Sequence, residues 1–485
     1  MTTSTEVKRD TRFFGHPLGL ANLFGVEMWE RFSFYGMQGI LAIYLYYSTA
    51  KGGLAMPEAT ALGIVGAYGS LVYLSTIVGA WIADRVLGCE RTLFSSALLI
   101  MVGHISLALL PGYTGIVVGL LCIALGSGGL KGNATAVVGT LYEEKDERRD
   151  GGFSLFYMGV NLGAFLGPIF TGLLQDHIGF HYGFGLAAVG MAVGLIQYTI
   201  GRRNLGTKAE EVPNPLPAAQ RPAVVGIVVL VLGVVLVAVL TGLVTADNLA
   251  DVATWVALGA AVIYFLVILT SRKITSVERS RVLSFVPMFI ASAAFWALYQ
   301  QQFTVLTAYS DQRLDRHLFG WEMPVSWVQS INPVCIIVLA PVFAAVWTKL
   351  GDRGPSTPIK FALGTVVMGV AYLLFLPLTG GGPNSAPLLA MAGILLVFTL
   401  AELLLSPVGL ALATKLAPAA FRCQMVALFF LSVSLGSALS GSLAKYYSPA
   451  HEGSYFGILG AAAGVIGVVL ALVTPFVRKL MAGIR

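Results

Sequence analysis

Long apolar stretches alternate with short polar segments along the chain from Leu20 to Phe476. Many of these stretches reach the ~20 residues that a helix needs to cross ~30 Å of hydrocarbon. The pattern predicts two sets of six membrane-spanning helices with an extra pair between them. The first set covers 20–47, 60–83, 93–110, 114–141, 153–174 and 182–200, the extra pair 223–244 and 252–269, and the last set 283–309, 325–350, 359–378, 386–414, 421–444 and 455–476.

The predicted fold class is therefore an all-α polytopic membrane protein with 14 transmembrane helices. An N-terminal six-helix bundle is predicted at residues 1–201, a linker with the two extra helices at 202–281, and a C-terminal six-helix bundle at 282–485. The beginning of the linker is rich in charged residues and proline, which is typical of an exposed connector.

The composition is that of a chain dissolved mainly in lipid. Hydrophobic residues make up 56% and charged residues 11% of the 485 positions, against about 25% charged residues in a soluble domain. The net charge of +6 does not indicate nucleic acid, because the basic residues follow the membrane topology. With the N-terminus inside, 24 Lys and Arg residues lie in segments on that side and only 4 on the other, which predicts that both termini are cytoplasmic.

Away from the ends of the spans, five charged residues fall inside predicted spans, where each costs roughly 2.5–3.5 kcal/mol at a helix centre. They are Glu27, Glu30, Arg31, Lys131 and Glu402. We expect them to face an internal aqueous cavity. The first three are spaced i, i+3 and i+4, which places them on one face of one helix.

The charge count of this group favours proton coupling. Three carboxylates meet two cations, and the carboxylate left without a basic partner in a low-dielectric cavity tends to bind a proton. We therefore assign proton coupling to all five residues. The alternative is that the cluster only fixes helix packing, but buried ion pairs are weak contributors to stability and apolar side chains would serve at lower cost.

Each half of the chain also carries an Asp-Arg pair after its second span, Asp84-Arg85 and Asp352-Arg353. The first pair, with its flanking glycines and arginine, resembles a loop signature of the major facilitator superfamily. The second pair is a weaker counterpart in the other half. The resemblance implies the major facilitator fold, in which two bundles rock about a site at the midplane, and a gating role for Asp84 and Arg85.

Several motifs resemble the proton-coupled oligopeptide transporter (POT, or PTR) family. The segment EMWERFSFYG from Glu27 is similar to its ExxERFxYYG motif, FYMGVN from Phe156 to its FYxxIN signature, and ELLLSPVG from Glu402 to its helix 10 motif. Lys131 fits the lysine of its helix 4. The resemblance implies a symporter, not an enzyme, that imports di- and tripeptides with protons across the inner (plasma) membrane of a bacterium.

The resemblance also implies residue roles. A peptide needs cations at its carboxylate, for which Arg31 and Lys131 are suited, and polar partners at its amine, for which Glu402, Asn161 and Asn332 are candidates. The other substrate-binding candidates are Tyr35, Tyr73, Trp296, Gln300 and Phe429. Pro407 and Gly409 are gating candidates, because they give the span 386–414 a place to bend.

Three positions depart from the family pattern. Gln300 stands where many relatives carry glutamate, and a glutamine cannot carry a proton. Coupling then falls to the three carboxylates named above, together with Lys131. Phe34 stands where the family usually has tyrosine. Phe429 replaces a frequent tryptophan, and this second change alters the expected pocket shape.

The nearest alternative is a proton-coupled carrier of the same fold for another small solute, such as an anion, a drug or a peptide-like compound. An intramembrane enzyme is disfavoured, since the sequence has no HExxH motif and no serine–histidine arrangement. Its four cysteines are scattered without metal-ligand spacing. We expect no metal, no cofactor and no nucleic acid, and a protein that functions as a monomer in the lipid bilayer.

Overall fold

A computed structural model describes residues 10–143 and 146–484. Fifteen α-helices dominate this part of the chain. The first half contains α1 (Leu18–Tyr46), α2 (Glu58–Ile82), α3 (Cys89–Leu109), α4 (Gly112–Thr140), α5 (Arg149–His177) and α6 (Phe180–Gly201). The extra pair is α7 (Arg221–Leu240) and α8 (Leu249–Thr270). The second half contains α9 (Ser276–Tyr299), α10 (Val305–Gln312), α11 (Ile331–Leu350), α12 (Thr357–Leu373), α13 (Leu388–Leu416), α14 (Arg422–Ala444) and α15 (Glu452–Leu480).

Short elements join these helices. Two-residue strands lie in the loops after α10 and before α13: β1 (Leu314–Asp315) pairs in parallel with β4 (Ala386–Pro387), and β2 (His317–Leu318) pairs antiparallel with β3 (Trp321–Glu322). A π-helical turn, Ala83–Leu87, follows α2. Single 3₁₀ segments are Thr49–Lys51, Arg202–Asn204, Lys208–Glu210, Ala218–Gln220, Gln300–Phe303, Val325–Ser330, Gly351–Arg353, Leu376–Leu378 and Ala419–Phe421.

The helix lengths confirm the fold class. Among the described residues, thirteen helical segments are long and apolar enough to cross a membrane, with α9 and α10 counted as one. Helix α1 has the length for the remaining span, 29 residues, although it carries Glu27, Glu30 and Arg31. The chain is a multi-pass membrane protein built of helices.

The predicted span at 283–309 lies within one apolar helical segment, Ser276–Gln312, but it is not one continuous α-helix. The observed α9 begins earlier, because Thr275 and Glu278 form a capping box: Thr275 Oγ1 accepts from the Glu278 N–H at 3.2 Å and Glu278 Oε2 accepts from the Thr275 N–H at 2.8 Å. The helix ends at Tyr299, and the chain passes through a 3₁₀ turn before α10 begins at Val305. The span therefore breaks at its cluster of three glutamines.

Glycines bring α1 and α5 into backbone contact. Gly159, Gly163 and Gly167 recur every fourth residue along α5, one above the other on the same face. A Cβ atom on Gly163 would lie 2.1 Å from the carbonyl oxygen of Met28 and 2.9 Å from Cβ of Arg31. Small residues permit this close approach of helices in membranes, and here it fixes the helix that carries the predicted ion cluster.

The two halves are joined at the end of the molecule that carries the α1–α2 loop. The carboxylate of Asp311 on α10 accepts hydrogen bonds from Tyr46 at 3.0 Å and Tyr47 at 2.6 Å. Nearby, Gln312 donates to Glu58 at 2.7 Å. Further bonds run from Ser326, Trp327 and Ser330 to carbonyls of α5, and between Ser70 and Ser434. Within the described ranges, no hydrogen bond joins the halves at the opposite end.

The two helices of the extra pair differ in how they pack. Helix α8 packs against α2 and α14, and its Asp251 pairs with Lys445 at 2.6 Å. Just before α8, Asp247 accepts a hydrogen bond from Thr60 on α2 at 2.5 Å. None of the α7 residues is buried. We therefore expect lipid to surround α7.

Candidate functional site

The three charged residues of α1 form one compact ion cluster. Arg31 donates two hydrogen bonds to Oε1 of Glu27, from Nε at 2.8 Å and from Nη2 at 2.6 Å. Its Nε also lies 3.3 Å from Oε2 of Glu30, but the N–H points at Glu27, so this second contact is an ion pair without a hydrogen bond. Ser127 on α4 donates to the other oxygen of Glu30 at 3.1 Å. Both carboxylates and the guanidinium are buried, with at most 6% of each residue exposed.

Lys131 on α4 meets aromatic rings instead of an acid. Its Nζ atom lies 4.7 Å from the ring centroid of Phe34 and 4.7 Å from that of Tyr73. In the described part of the chain, no carboxylate oxygen lies within the 4.0 Å of an ion pair. The ammonium is thus held by cation–π contacts between α1 and α2.

Glu402 on α13 forms a second, separate polar centre. Its Oε2 atom accepts hydrogen bonds from the hydroxyl of Tyr299 at 2.9 Å and from the amide of Asn332 at 3.2 Å. The same amide also donates to Thr399 at 3.0 Å. No cation pairs with Glu402 among the described residues. This carboxylate is therefore held by neutral donors.

Both centres open into one cavity of about 280 Å³ between the two halves. Four of the five charged residues line it, namely Glu27, Arg31, Lys131 and Glu402. Glu30 lies behind them, fully buried. The volume is near the lower end of the ~300–1,000 Å³ usual for small-ligand sites, so the cavity has room for a small solute only.

Comparison with models of protein families shows which family the chain belongs to. A family model described as the POT family matches residues 90–458. The chain belongs to the POT family. Its whole length is also similar to known members: it is 39% identical to a di-/tripeptide transporter of Lactococcus lactis subsp. cremoris, over 99% of this chain and 99% of the relative. It is 42% identical to the uncharacterized transporter YclF of Bacillus subtilis (strain 168), over 97% and 96%.

Solved structures of POT proteins share the fold. A crystal structure of a peptide transporter POT in complex with sulfate matches with a TM-score of 0.93 and 44% identity, covering 98% of each chain. A POT family transporter in complex with 5-aminolevulinic acid matches with a TM-score of 0.91 and 39% identity, covering 97% of this chain and 98% of that one. The POT structures carry the major facilitator fold, so this part of the prediction is confirmed. The family and these relatives are transporters, not enzymes.

Most of the other predicted binding residues of this POT protein line the same cavity. They are Tyr35, Tyr73, Trp296, Gln300 and Phe429. Tyr35 stacks on Phe303 with ring centroids 6.0 Å apart, and Gln300 donates to Ser437 at 2.9 Å. The buried indole N–H of Trp296 has no hydrogen-bond partner among the described residues, which leaves a donor for a solute.

Two predicted binding residues lie outside the lining of the cavity. Asn161 donates to the carbonyl of Tyr157, one turn earlier in its own helix, at 2.9 Å. Asn332 contacts two residues that line the cavity: its amide N–H donates to Glu402, and its amide oxygen lies 3.2 Å from the hydroxyl of Tyr299. Contact of either residue with a substrate stays a prediction.

The predicted gating pair lies beneath the linker. The Asp84 carboxylate accepts from the Asn214 amide at 3.0 and 3.2 Å, and the Asp84 and Arg85 carbonyls accept from the backbone of residues 214 and 216, both at 2.9 Å. A Cβ atom on Gly88 would lie 2.6 Å from the carbonyl oxygen of Glu210. The linker is thus docked on the loop that carries Asp84 and Arg85, whose gating role stays a prediction. Of the corresponding pair in the second half, the side chain of Asp352 lies outside what the structure describes.

The other two gating candidates lie in α13. Pro407 stands inside this helix, which runs without interruption from Leu388 to Leu416. Gly409 packs against the ring of Phe429, where an added Cβ would lie 2.4 Å from Cε2. The bending of α13 therefore stays a prediction, while Gly409 makes room for a cavity residue.

Sequence reasoning missed several residues that line the cavity. They are Phe34, Gln38, Phe156, Tyr157, Tyr299, Phe303 and Ser406. Phe34, Phe156, Tyr157 and Ser406 lie inside the family motifs, but none of them was assigned to substrate binding. Tyr299 could have been found from the sequence, because a buried carboxylate such as that of Glu402 needs hydrogen-bond donors. No group of His, Cys, Asp and Glu that could hold a metal occurs among the described residues.

Proposed function

We propose that this protein is a proton-coupled symporter that imports di- and tripeptides by alternating access. The observation that carries the proposal is the separation of charge in one small cavity. Arg31 and Lys131 supply cations from the first half, whereas Glu402 supplies a carboxylate from the second half. A short peptide carries the complementary charges at its two ends. Binding it would therefore bridge the halves that must move against each other.

The proposed coupling uses the α1 cluster. Oε1 of Glu27 accepts from Arg31, while Oε2 has no hydrogen-bond partner within the described residues. A proton on Glu27 would weaken its hold on Arg31, because the charge of the pair would be lost. The guanidinium would then be free to bind the peptide carboxylate in a forked geometry. Proton and peptide would thus favour each other's binding.

The available energy is sufficient for one proton per peptide. A charge that moves through about 100 mV releases roughly 2.3 kcal/mol. At about 1.36 kcal/mol per tenfold, this supports a concentration ratio of roughly 50-fold.

The proposal includes the topology and the state of the molecule. We expect the N-terminal bundle at 1–201 and the C-terminal bundle at 282–485 to rock as units, with the linker and extra helices at 202–281 between them. The basic residues predict cytoplasmic termini, which would place the α1–α2 loop and Asp311 on the outer side. Because the hydrogen bonds of Asp311 join the halves at that end, the conformation would be closed outside and inward-facing. We further expect the protein to act as a monomer in the bacterial inner membrane.

Uptake into proteoliposomes tests the function. Labelled dialanine should accumulate when a pH gradient and an inside-negative potential are imposed, and should not accumulate without them. Unlabelled tripeptide should compete, whereas free alanine and nitrate should not. Absence of driven dialanine accumulation by protein that is folded and correctly reconstituted would refute the proposal.

A carrier of another small solute is the second candidate. The observation that favours it is the solved POT relative in complex with 5-aminolevulinic acid, a short molecule that also carries an amine and a carboxylate. Labelled 5-aminolevulinic acid, tested in the same proteoliposomes, separates the two. Driven accumulation of 5-aminolevulinic acid together with no transport of dialanine would favour the alternative.

A further inference from the structure

Phe34 is the cavity residue whose place is least explained by the proposed function. It stands on α1, three residues after Arg31, and its ring faces the ammonium group of Lys131 at 4.7 Å. The ring of Tyr73, from α2, lies at the same distance from that ammonium. Two helices thus supply aromatic faces to a cation that belongs to a third.

The two cations of the cavity differ in how far their charge is already compensated. Arg31 has one carboxylate in hydrogen-bond contact and another at 3.3 Å. Lys131 has no carboxylate within 4.0 Å among the described residues. An aromatic face attracts a cation through its quadrupole without neutralising it, so a ligand carboxylate need displace no ion-pair partner from this ammonium.

We propose that Phe34 is a positioning residue for substrate selectivity: with Tyr73 it holds the Lys131 ammonium in place without an ion-pair partner, so that the cavity prefers ligands with a free carboxylate terminus. This inference rests on the proposed peptide transport. A carboxylate in place of either ring would compete with the peptide's own carboxylate for Lys131. A ring cannot compete, because it bears no net charge.

The Phe34 ring is well placed to hold a fixed position. Only 6% of the residue is exposed. The ring packs edge-on against Tyr35, with centroids 5.3 Å apart, and stacks on Tyr68 with centroids 6.2 Å apart and planes 28° apart. These neighbours restrict the ring, which has no hydroxyl that would offer Lys131 a different contact. Its contribution to the lysine is therefore made through its face.

The test compares dialanine with dialanine amide, which lacks the carboxylate. Binding of each to purified, reconstituted protein is measured by competition against labelled dialanine for the wild type and for Phe34→Leu. We expect Phe34→Leu to weaken dialanine binding by about tenfold and to leave amide binding within about twofold. Phe34→Tyr, which keeps the aromatic face, should retain the wild-type preference for the acid.

Two further variants separate electrostatics from packing. Phe32→Leu alters a buried aromatic residue of the same helix that packs edge-on against Trp29 and does not line the cavity; it should leave the acid-to-amide ratio unchanged. Trifluorophenylalanine at position 34 keeps the shape of the ring and removes most of the negative potential of its face. It should lower the ratio even if Phe34→Leu does not fold.

The possible outcomes are distinguishable. If the wild type binds neither dialanine nor its amide, the proposed function fails and this inference fails with it. If the wild type prefers the acid and the fluorinated protein keeps the same preference, the role of Phe34 is refuted while peptide transport stands. A loss of preference in Phe32→Leu as large as in Phe34→Leu would also overturn it, since packing alone would then account for the effect.

Discussion

Replacing Glu27 by glutamine should uncouple transport from the proton gradient. Glutamine has nearly the shape of a protonated glutamate and keeps an acceptor oxygen for Arg31, but it can neither bind nor release a proton. The variant would therefore be fixed in a state that resembles the proton-loaded protein. Arg31 would retain Glu30, whose Oε2 lies 3.3 Å from its Nε, as its only charged partner within the α1 cluster.

The expected effect on peptide accumulation follows from the membrane potential and from the ion pair between Glu27 and Arg31. Breaking a buried ion pair by removing one partner costs about 3–5 kcal/mol, and the retained acceptor oxygen should keep the cost of Glu27→Gln below that range. A membrane potential of about 100 mV supports roughly 50-fold accumulation in the wild type. In the variant this ratio should fall to about one, since no proton cycle remains. Exchange of labelled for unlabelled peptide needs no such cycle and should persist.

Both activities are measured in the same proteoliposomes. Driven uptake uses an imposed pH gradient and potential, and exchange uses vesicles preloaded with unlabelled dialanine. Glu322→Gln is the matched control, because its side chain is 53% exposed in a loop pair with Arg316, and both activities should stay at the wild-type level. Equal loss of driven uptake and exchange in Glu27→Gln would refute the reasoning and assign the cluster to packing, and undiminished accumulation would remove Glu27 from coupling.

Three further predictions concern contacts that hold the helices. Gly163→Ala should lower the thermal stability in detergent by about 1–3 kcal/mol through overpacking against Met28, whereas Gly132→Ala, with no atom within 4 Å of the added Cβ, should not. Asp311→Asn should weaken the charge-assisted bonds from Tyr46 and Tyr47 and increase the labelling of a cysteine introduced beside them, unlike the exposed Asp315→Asn. Asn214→Ala should release the linker from Asp84 and speed its limited tryptic cleavage, and Asn214→Asp should do so more strongly through charge repulsion; unchanged cleavage in both would contradict the anchoring role.

The membrane spans and the charged residues inside them could be predicted from the sequence alone. Both signals are local and costly: an apolar run of membrane length has few other uses, and a charge inside it requires a cavity. Glu27, Arg31, Lys131 and Glu402 were therefore recognisable without a structure, and the cavity brings them together. The family resemblance added the aromatic candidates, and all four line the cavity: Tyr35, Tyr73, Trp296 and Phe429.

The missed features depend on contacts between distant segments. The break at Gln300–Phe303 was not visible, because the flanking residues are apolar on both sides and a short polar run inside them fits a cavity face of a continuous helix equally well. The two ring contacts of Lys131 join three helices, and the hydrogen bonds of Glu402 join three others. Docking of the linker on Asp84 depends in part on backbone groups, which carry no sequence signal, and in part on Asn214, which is distant from Asp84 in the sequence.

The different partners of the two cations imply an order of binding. Lys131 meets no acid within 4.0 Å in the described structure, so a peptide carboxylate need displace none there. Arg31 is engaged by Glu27 until that carboxylate takes a proton. On the proposed scheme, the peptide carboxylate should therefore meet Lys131 first and Arg31 only after protonation. A peptide would then bind weakly without a proton and more tightly with one, and by linkage the bound peptide must raise proton affinity by the same factor. This reciprocity lets one small cavity couple two gradients without a separate proton channel.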